Sequence, residues 1–346
     1  MRKLHLKAKT GECDILIGEP IGSIQEYMGN AQAVIITDKN VRKLHGDMFP
    51  AVPVIEIGTG EGAKTLETAQ MIYKKLAELG MDRTGVIIGI GGGLACDVAG
   101  FAAATYMRGV KLILVPTTLL ACADAAIGGK NGVNLAGYKN LVGTIRQPET
   151  VICDFELLKT LPREEIASGF AEVIKTACIA DATLFTYLEE NLLQAMNLKK
   201  SVIEKVMHDS IAVKAGIVEK DESEKNERMK LNFGHTVGHS IENTLGLRHG
   251  EAVAIGMMVA AGISQKRGLA SRKDCDRLQA LIEKAGLPAR LPGKSKENLG
   301  KIKDALSKDK KKRGSAIRMA LMNGIGKARV EEVQISEIEG VLDDLC

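Results

Sequence analysis

The sequence predicts an α/β fold in two parts: an amino-terminal parallel-sheet domain over residues 1–155 and a mostly helical domain over 156–346. Three observations predict it. Short apolar runs bounded by turn residues recur at Ala33–Thr37, Val86–Ile90, Lys111–Val115 and Val151–Cys153. Between them Thr65–Leu79 has helical spacing, with Ile72, Leu76 and Leu79 as apolar repeats. Strands that alternate with helices pair in parallel. After Phe155 the texture changes to long helical segments, at Arg163–Ala180, Ala182–Asn197, Lys200–Glu219, Gly234–Gly246 and Glu251–Gly268. The start, Met1–Glu19, alternates charged and apolar residues and reads as a strand, not a signal peptide.

Composition narrows the function classes. The 346 residues suffice for two domains, and 45% hydrophobic with 26% charged residues is the balance of an ordinary folded chain. Lys and Arg number 47 against 43 Asp and Glu, a net charge of +4, too small to argue for nucleic acid or an anionic membrane surface. With six Phe, five Tyr and no Trp, platforms for base stacking are scarce. Seven cysteines without a C-x-x-C pair exclude a zinc knuckle and a disulfide framework, and read as reduced thiols in a cytoplasmic protein. Cys96 and Cys122 are read the same way. The most apolar stretch, Val86–Met107, contains Asp97 and is thick with Gly and Ala, so no membrane span is expected there. The basic run Lys308–Arg313 reads as a solvated loop.

Four segments carry chemistry. Ile87-Ile-Gly-Ile-Gly-Gly-Gly93 leads from a strand into the helical Leu94–Gly100. That order suits a phosphate, because backbone N–H groups at a helix start face an anion and glycine lets the backbone approach; the same run also fits a merely tight turn. His235-Thr-Val-Gly-His239 places two imidazoles four apart on one helix face, where they can share a metal, and His249 follows. Any one of these taken alone reads as a surface or core histidine. Glu172 and Lys175 lie in an apolar helix; they read as site groups, with Glu172 completing a His₂Glu set, or as a surface ion pair. Asp124 and Lys130 bracket a glycine pair that suits an oxyanion or a plain surface loop.

Taken together, these segments resemble the 3-dehydroquinate synthase family of sugar-phosphate cyclases. The ordered set runs from Asp38 to Gly326: Glu61-Gly-Ala-Lys64, Gly91-Gly-Gly93 with Asp97, Thr105-Tyr-Met-Arg-Gly109, Val115-Pro-Thr-Thr-Leu-Leu120, Gly128-Gly-Lys130, Ala171-Glu-Val-Ile-Lys175, Leu231–His239, His249-Gly-Glu251 and Asp309-Lys-Lys311. The resemblance implies a Rossmann-like NAD-binding domain followed by a helical metal-binding domain. It places the metal ligands on Glu172, His235 and His249, for zinc or cobalt. Cofactor contacts fall on Asp38, Glu61, Lys64, Gly92, Gly93, Asp97, Thr117, Thr118, Lys139 and Asn140. Asp124 stands with these and among the substrate contacts. The remaining substrate contacts fall on Lys130, Lys175, Lys214, Arg228, Asn232, His239 and Lys311. Arg108 matches an arginine that reaches the phosphate in a neighbouring subunit, so a homodimer is implied.

The implied reaction belongs to the shikimate pathway, towards aromatic amino acids. It converts 3-deoxy-D-arabino-heptulosonate 7-phosphate to 3-dehydroquinate and phosphate. NAD oxidises a ring hydroxyl transiently, phosphate leaves by β-elimination, the ketone is reduced again, and an aldol step closes the carbocycle. Arg228, Lys214 and Asn232 together favour a substrate bearing a carboxylate, over 2-deoxy-scyllo-inosose-type or valiolone-type cyclases. A polyol dehydrogenase of the glycerol type shares the domain plan but has no use for these cations. A non-catalytic NAD- or metal-binding regulator has no use for an intact site set. The sequence departs from the family pattern at Cys96, Ala125, Ala126, Asn131 and Tyr138.

Overall fold

Strands β3 (Ala33–Asp38) and β5 (Val86–Gly91) are buried at every position. Such runs have no solvent face and must lie inside a sheet covered on both sides. In the computed structural model, which describes residues 1–292, 296–307, 312–313 and 315–344, they do. The other strands of that sheet are β1 (Arg2–Ala8), β2 (Gly11–Ile17), β4 (Val54–Ile57), β6 (Lys111–Pro116) and β9 (Thr150–Cys153). The order is β1-β2-β9-β6-β5-β3-β4, parallel except for the β1–β2 hairpin. Val86 pairs with Ala33 on one side and Lys111 on the other, which fixes the central register. Ile35, Ile88, Ile90, Ile113, Val115 and Ile152 form one side of the core, closed by Ile24 and Met28 of α1 (Ile24–Met28). Edge strand β1 buries Leu6 and carries Lys3, His5 and Lys7, charges that discourage pairing with a further strand.

The helices of this half start on side-chain caps. Asp38 accepts from the N–H groups of Asn40 and Val41 at the start of α2 (Lys39–His45), and Thr65 caps α3 (Leu66–Glu78). Helix α4 (Gly93–Thr105) is rich in Ala and Gly, and most of it is buried. Two further strands, β7 (Lys130–Leu135) and β8 (Tyr138–Ile145), pair as a separate ribbon. Asn131 of β7 lies so close to α4 that a Cβ at Gly100 would meet its Oδ1 at 1.8 Å. Its amide donates to the carbonyls of Gly129 and Arg146 at 2.8 and 3.0 Å, stitching the ribbon's base.

The second half holds α5 (Arg163–Ala180), α6 (Ala182–Met196), α7 (Lys200–Lys220), α8 (His235–Leu245), α9 (His249–Lys266), α10 (Arg272–Lys284), α11 (Lys296–Ser307) and α12 (Ile335–Asp344). Helix α9 is buried along most of its length, as its nearly continuous apolar sequence requires. It meets α8 through glycine: a Cβ at Gly256 would stand 1.9 Å from the Gly234 carbonyl oxygen. An antiparallel sheet of β10 (Lys312–Arg313), β11 (Ala316–Met322) and β12 (Ala328–Gln334) completes this half, where the sequence texture suggests helices. Ala316-Ile-Arg-Met-Ala-Leu-Met322 consists largely of good helix formers, and its pairing with β12 overrides that preference.

Contacts divide the chain into two units, residues 1–166 with 214–222 and residues 167–213 with 223–346. Where the change of texture suggests one cut near residue 155, the chain therefore crosses between units at 166, 213 and 222. Residues 214–222 join the first unit through side chains. Glu219 accepts from the Lys7 N–H at 2.8 Å, and Glu222 accepts from Thr10 and from the Gln147 amide at 2.8 Å. Burial opposes the charge on Glu222, but these hydrogen bonds outweigh it and hold its carboxyl below the usual range. A depressed folded pKa contributes stability that is present above the unfolded value of about 4.5 and lost as the pH falls. Glu222→Gln is therefore expected to destabilise the protein at pH 7 and to do so much less at pH 4. Urea midpoints of both proteins at both pH values check this; a difference independent of pH would overturn it.

Candidate active site

In the first unit the cofactor-type residues gather where β3 and β5 end. The chain runs outward from β3 to β4 and then returns to the other side of β3 at β5. This reversal opens a crevice at the carboxyl ends of the two strands, the usual ligand position in such sheets. Asp38 ends β3, and Gly92 caps the amino terminus of α4 after β5. Gly91 has φ +158°, and a Cβ there would stand 2.5 Å from Ala95 and 3.5 Å from Asp38 Oδ2. Thr117 donates its N–H to the Gly91 carbonyl at 2.9 Å, and a Cβ at Gly92 would meet the Thr118 methyl at 3.2 Å. Bare backbone at a helix start, with no side chain in front of it, suits an anion such as a pyrophosphate.

Lys64 and Asp97 form an ion pair beside this turn, with Lys64 buried. Burial lifts the Asp97 carboxyl to about 6, although Lys64 pulls it down. Asn134, which the motif reading passes over, ties the neighbouring residues together. Its N–H donates to the Lys64 carbonyl at 2.7 Å, its amide donates to Glu61 Oε1 at 2.8 Å, and its Oδ1 accepts from the Asn140 N–H at 2.8 Å. Lys139 and Asn140 stand exposed on β8, Asn140 with φ +52°. Lys214 donates to the Asp124 side chain and, at 2.6 Å, to its carbonyl. Lys130 opens β7 and is exposed. Arg108 stands elsewhere, in an exposed turn with φ +64°, by a cavity of about 640 Å³ lined by Arg83, Thr105, Met107 and Gly109.

In the second unit Glu172 and Lys175, three apart on α5, form an ion pair with both residues 1% exposed. The alternative of a surface pair is thereby excluded. Glu172 Oε2 takes Lys175, while Glu172 Oε1 is buried without a hydrogen-bond partner. Around that oxygen stand His235 Nε2 at 3.5 Å and His249 Nε2 at 3.4 Å, and the three ligand-type atoms lie within 4.8 Å of one another. An orphaned carboxylate oxygen facing two imidazole nitrogens fits a divalent cation, and one carboxylate with two imidazoles suits zinc or cobalt. The spacing argument paired His235 with His239; the convergent set takes His249 instead. His239 is exposed, its ring 5.3 Å edge-on from His235 and 6.1 Å from His249.

The electrostatics agree. Burial opposes the charge on Glu172, yet Lys175 and the two histidines hold it well below the usual carboxylate range. Burial pushes His235 down to about 3, leaving a neutral ring with a lone pair to offer. Burial works against a charge on His249 too, but the carboxylates of Glu172 and Glu242 outweigh it and raise that ring to about 10, holding a proton that a bound cation would replace. The cluster is built to hold positive charge between Glu172 and the rings.

Arg228 is 4% exposed in the turn that precedes α8, and Asn232 in the same turn donates to Glu224, itself at φ +58°. Neither Glu224 nor Glu242 stands in a segment that the motif reading selected. The one available signal for Glu242 is its place at i+7 from His235 and i+3 from His239, on one helix face. Lys311 lies outside the described residues.

Two sequence patterns match this chain: that of the 3-dehydroquinate synthase N-terminal domain over residues 54–168, and that of the C-terminal domain over 169–312. The 3-dehydroquinate synthase of Thermoanaerobacter pseudethanolicus is 39% identical over 330 residues, 92% of each chain. The chain belongs to the 3-dehydroquinate synthase family. The 3-dehydroquinate synthase of Alkaliphilus metalliredigens is 38% identical over 98% of this chain and 97% of its own. Among solved structures, 2-deoxy-scyllo-inosose synthase complexed with carbaglucose-6-phosphate, NAD⁺ and Co²⁺ superposes with a TM-score of 0.88 at 29% identity, covering both chains fully. The 2-epi-5-epi-valiolone synthase of Streptomyces hygroscopicus subsp. jinggangensis, with NAD⁺ and Zn²⁺ bound, gives 0.86 at 27%, over 100% of this chain and 99% of that one. The cyclase fold expected from the sequence is thus the fold observed. A probable glycerol dehydrogenase of Sinorhizobium meliloti shares the fold alone, at 15% identity and a TM-score of 0.70 over 98% of both chains.

The departures from the 3-dehydroquinate synthase family pattern have local consequences. Asn131 is accommodated because α4 offers Gly100 opposite it. Ala125 lies 3.5 Å from where a Cβ of Gly93 would stand, and Ala126 is buried. Tyr138 projects from β8 with 53% exposure. Cys96 is fully enclosed, and burial pushes its thiol far up. The six described cysteines are all buried free thiols.

Proposed function

We infer that this chain is a 3-dehydroquinate synthase, a phosphate-eliminating cyclase that turns 3-deoxy-D-arabino-heptulosonate 7-phosphate into 3-dehydroquinate and phosphate. The observation that carries the reading is about 40% identity to 3-dehydroquinate synthases across 92% of the chain. When bound, NAD supplies a hydride acceptor regenerated within each turnover, and a divalent metal supplies a Lewis acid.

The chain's own residues supply the rest. The glycine turn before α4, Asp38, Thr117, Thr118, Glu61, Lys139, Asn140 and the Lys64–Asp97 pair hold NAD. Glu172, His235 and His249 hold the metal. Arg228, a planar fork of donors, matches the substrate carboxylate, with Lys214 adding charge and Asp124 orienting that lysine. Lys130, His239, Asn232 and Lys311 hold the phosphate. Lys175, beside Glu172, donates to the substrate. In the elimination, the carbon next to the new ketone loses its proton to a phosphate oxygen. The C–O bond then breaks, and its electron pair leaves with phosphate.

The chain works as a homodimer in which Arg108 reaches the phosphate bound by the partner copy. Its exposure and strained backbone support that reading. Buried free thiols among the described residues support work in the reducing cytoplasm, and the kinship to 3-dehydroquinate synthases supports a place on an aromatic amino acid pathway. No helix among the described residues is long and apolar enough to cross a membrane.

The deciding assay follows phosphate release from 3-deoxy-D-arabino-heptulosonate 7-phosphate with catalytic NAD and Zn²⁺ or Co²⁺, while absorbance reports NADH. Stoichiometric phosphate without net NADH is expected. Net NADH without phosphate would move the protein to the polyol dehydrogenases, and silence in both signals would exclude this substrate.

A further inference from the structure

Each imidazole of the metal-type set is anchored on the side away from Glu172. His235 Nδ1 faces the Phe233 carbonyl at 3.3 Å, and His249 Nδ1 faces Glu242 Oε2 at 3.0 Å. Both partners are acceptors: a carbonyl never donates, nor does an ionised carboxylate. Each ring can therefore keep a proton on Nδ1, and each aims Nε2 towards Glu172 Oε1, at 3.5 and 3.4 Å, where a bound cation would take the Nε2 lone pair.

The two rings differ in burial. The His235 side chain is 10% exposed and opens α8. The His249 side chain opens α9 in the same way but is 27% exposed. With less burial around it, the His249 ring depends more on its hydrogen bond at Nδ1. Glu242, on the face of α8 that also carries His235 and His239, supplies that bond.

We propose that Glu242 is a positioning residue of the metal centre, fixing the tautomer and rotation of His249 and so setting how tightly a divalent cation is held. The proposal rests on Glu172, His235 and His249 being the ligands. Carboxylates placed behind ligating histidines typically change metal affinity by about 10–100-fold when removed.

The test measures Co²⁺ and Zn²⁺ affinity of the full chain by competition with a chromophoric chelator, together with the visible absorption of the Co²⁺ protein. Glu242→Ala is expected to weaken both ions by about 10–100-fold and to alter the Co²⁺ bands. Glu242→Gln, whose amide oxygen still accepts, is expected to fall between Glu242→Ala and the unaltered protein. Thermal unfolding of the metal-free proteins separates positioning from folding. If Glu242→Ala lowers that midpoint but keeps Co²⁺ affinity and spectrum, the residue is only structural and the proposal fails. His235→Gln serves as the reference: if it too keeps the metal, the ligand assignment falls, and Glu242 with it.

Discussion

His235→Gln is expected to lower turnover at least about 10³-fold, equivalent to about 4 kcal/mol of lost transition-state stabilisation, while leaving the fold in place. The ring is buried and neutral, so a neutral amide changes no charge in the cluster. What it removes is one of two nitrogens facing the orphaned oxygen of Glu172. Two donors hold a divalent cation far more weakly than three, and the Lewis acid goes with it. Glu172→Gln should differ in kind. It loses the metal too, but it also strips Lys175 of its buried carboxylate, and breaking a buried ion pair costs about 3–5 kcal/mol. Metal content, turnover and thermal midpoints of both variants distinguish the cases. Stoichiometric Zn²⁺ on purified His235→Gln would sink the assignment.

Gly256→Ala is expected to be the most damaging single methyl group in the second unit. Its Cβ would stand 1.9 Å from the Gly234 carbonyl oxygen and 2.9 Å from Gly238 N, backbone atoms that cannot rotate aside. Relief needs α8 to retreat from α9 by about 1 Å, since Cβ contacts under 3.0 Å essentially never occur. Overpacking of this kind costs about 3 kcal/mol, or about 6–12 °C in midpoint for a unit of this size. The same retreat pulls His235 on α8 away from His249 on α9, so metal affinity should fall together with stability. Gly216→Ala is the control: it lies inside α7 with nothing within 4 Å of the new Cβ, and it should be neutral or stabilise by up to about 1 kcal/mol. Equal midpoints for the two variants would refute the close-contact argument.

The apolar runs of β3, β5, β6 and β9 were legible because a strand buried on both faces leaves an unbroken signal in the sequence. Helices α5 to α9 were legible to within about two residues from periodicity and glycine boundaries. Strand β11 was not, because its local preference is helical and only pairing with β12 decides it. The residue types of the metal cluster could be named from spacing and resemblance. The choice of His249 over His239 by spacing alone could not, since it depends on how α9 approaches α8. Asn134 was invisible for a similar reason: its role lies in bonds to Glu61, 73 residues away, and to Lys64. The return of residues 214–222 to the first unit rests on partners 212 residues apart, Thr10 and Glu222.

That last feature bears on how the protein comes into being at the ribosome. The hairpin β1–β2 is synthesised well ahead of its partners: the carboxylates that receive the N–H groups of Lys7 and Thr10 belong to Glu219 and Glu222, 212 residues later in the chain. At about 5–20 residues per second, those carboxylates are made roughly 10–40 s after the hairpin. Throughout that interval the sheet stands without Lys214 against Asp124 and without Glu222 against Gln147. The nascent first unit therefore waits on the middle of the chain, and a fragment ending at residue 166 is a sheet with its last fastening missing.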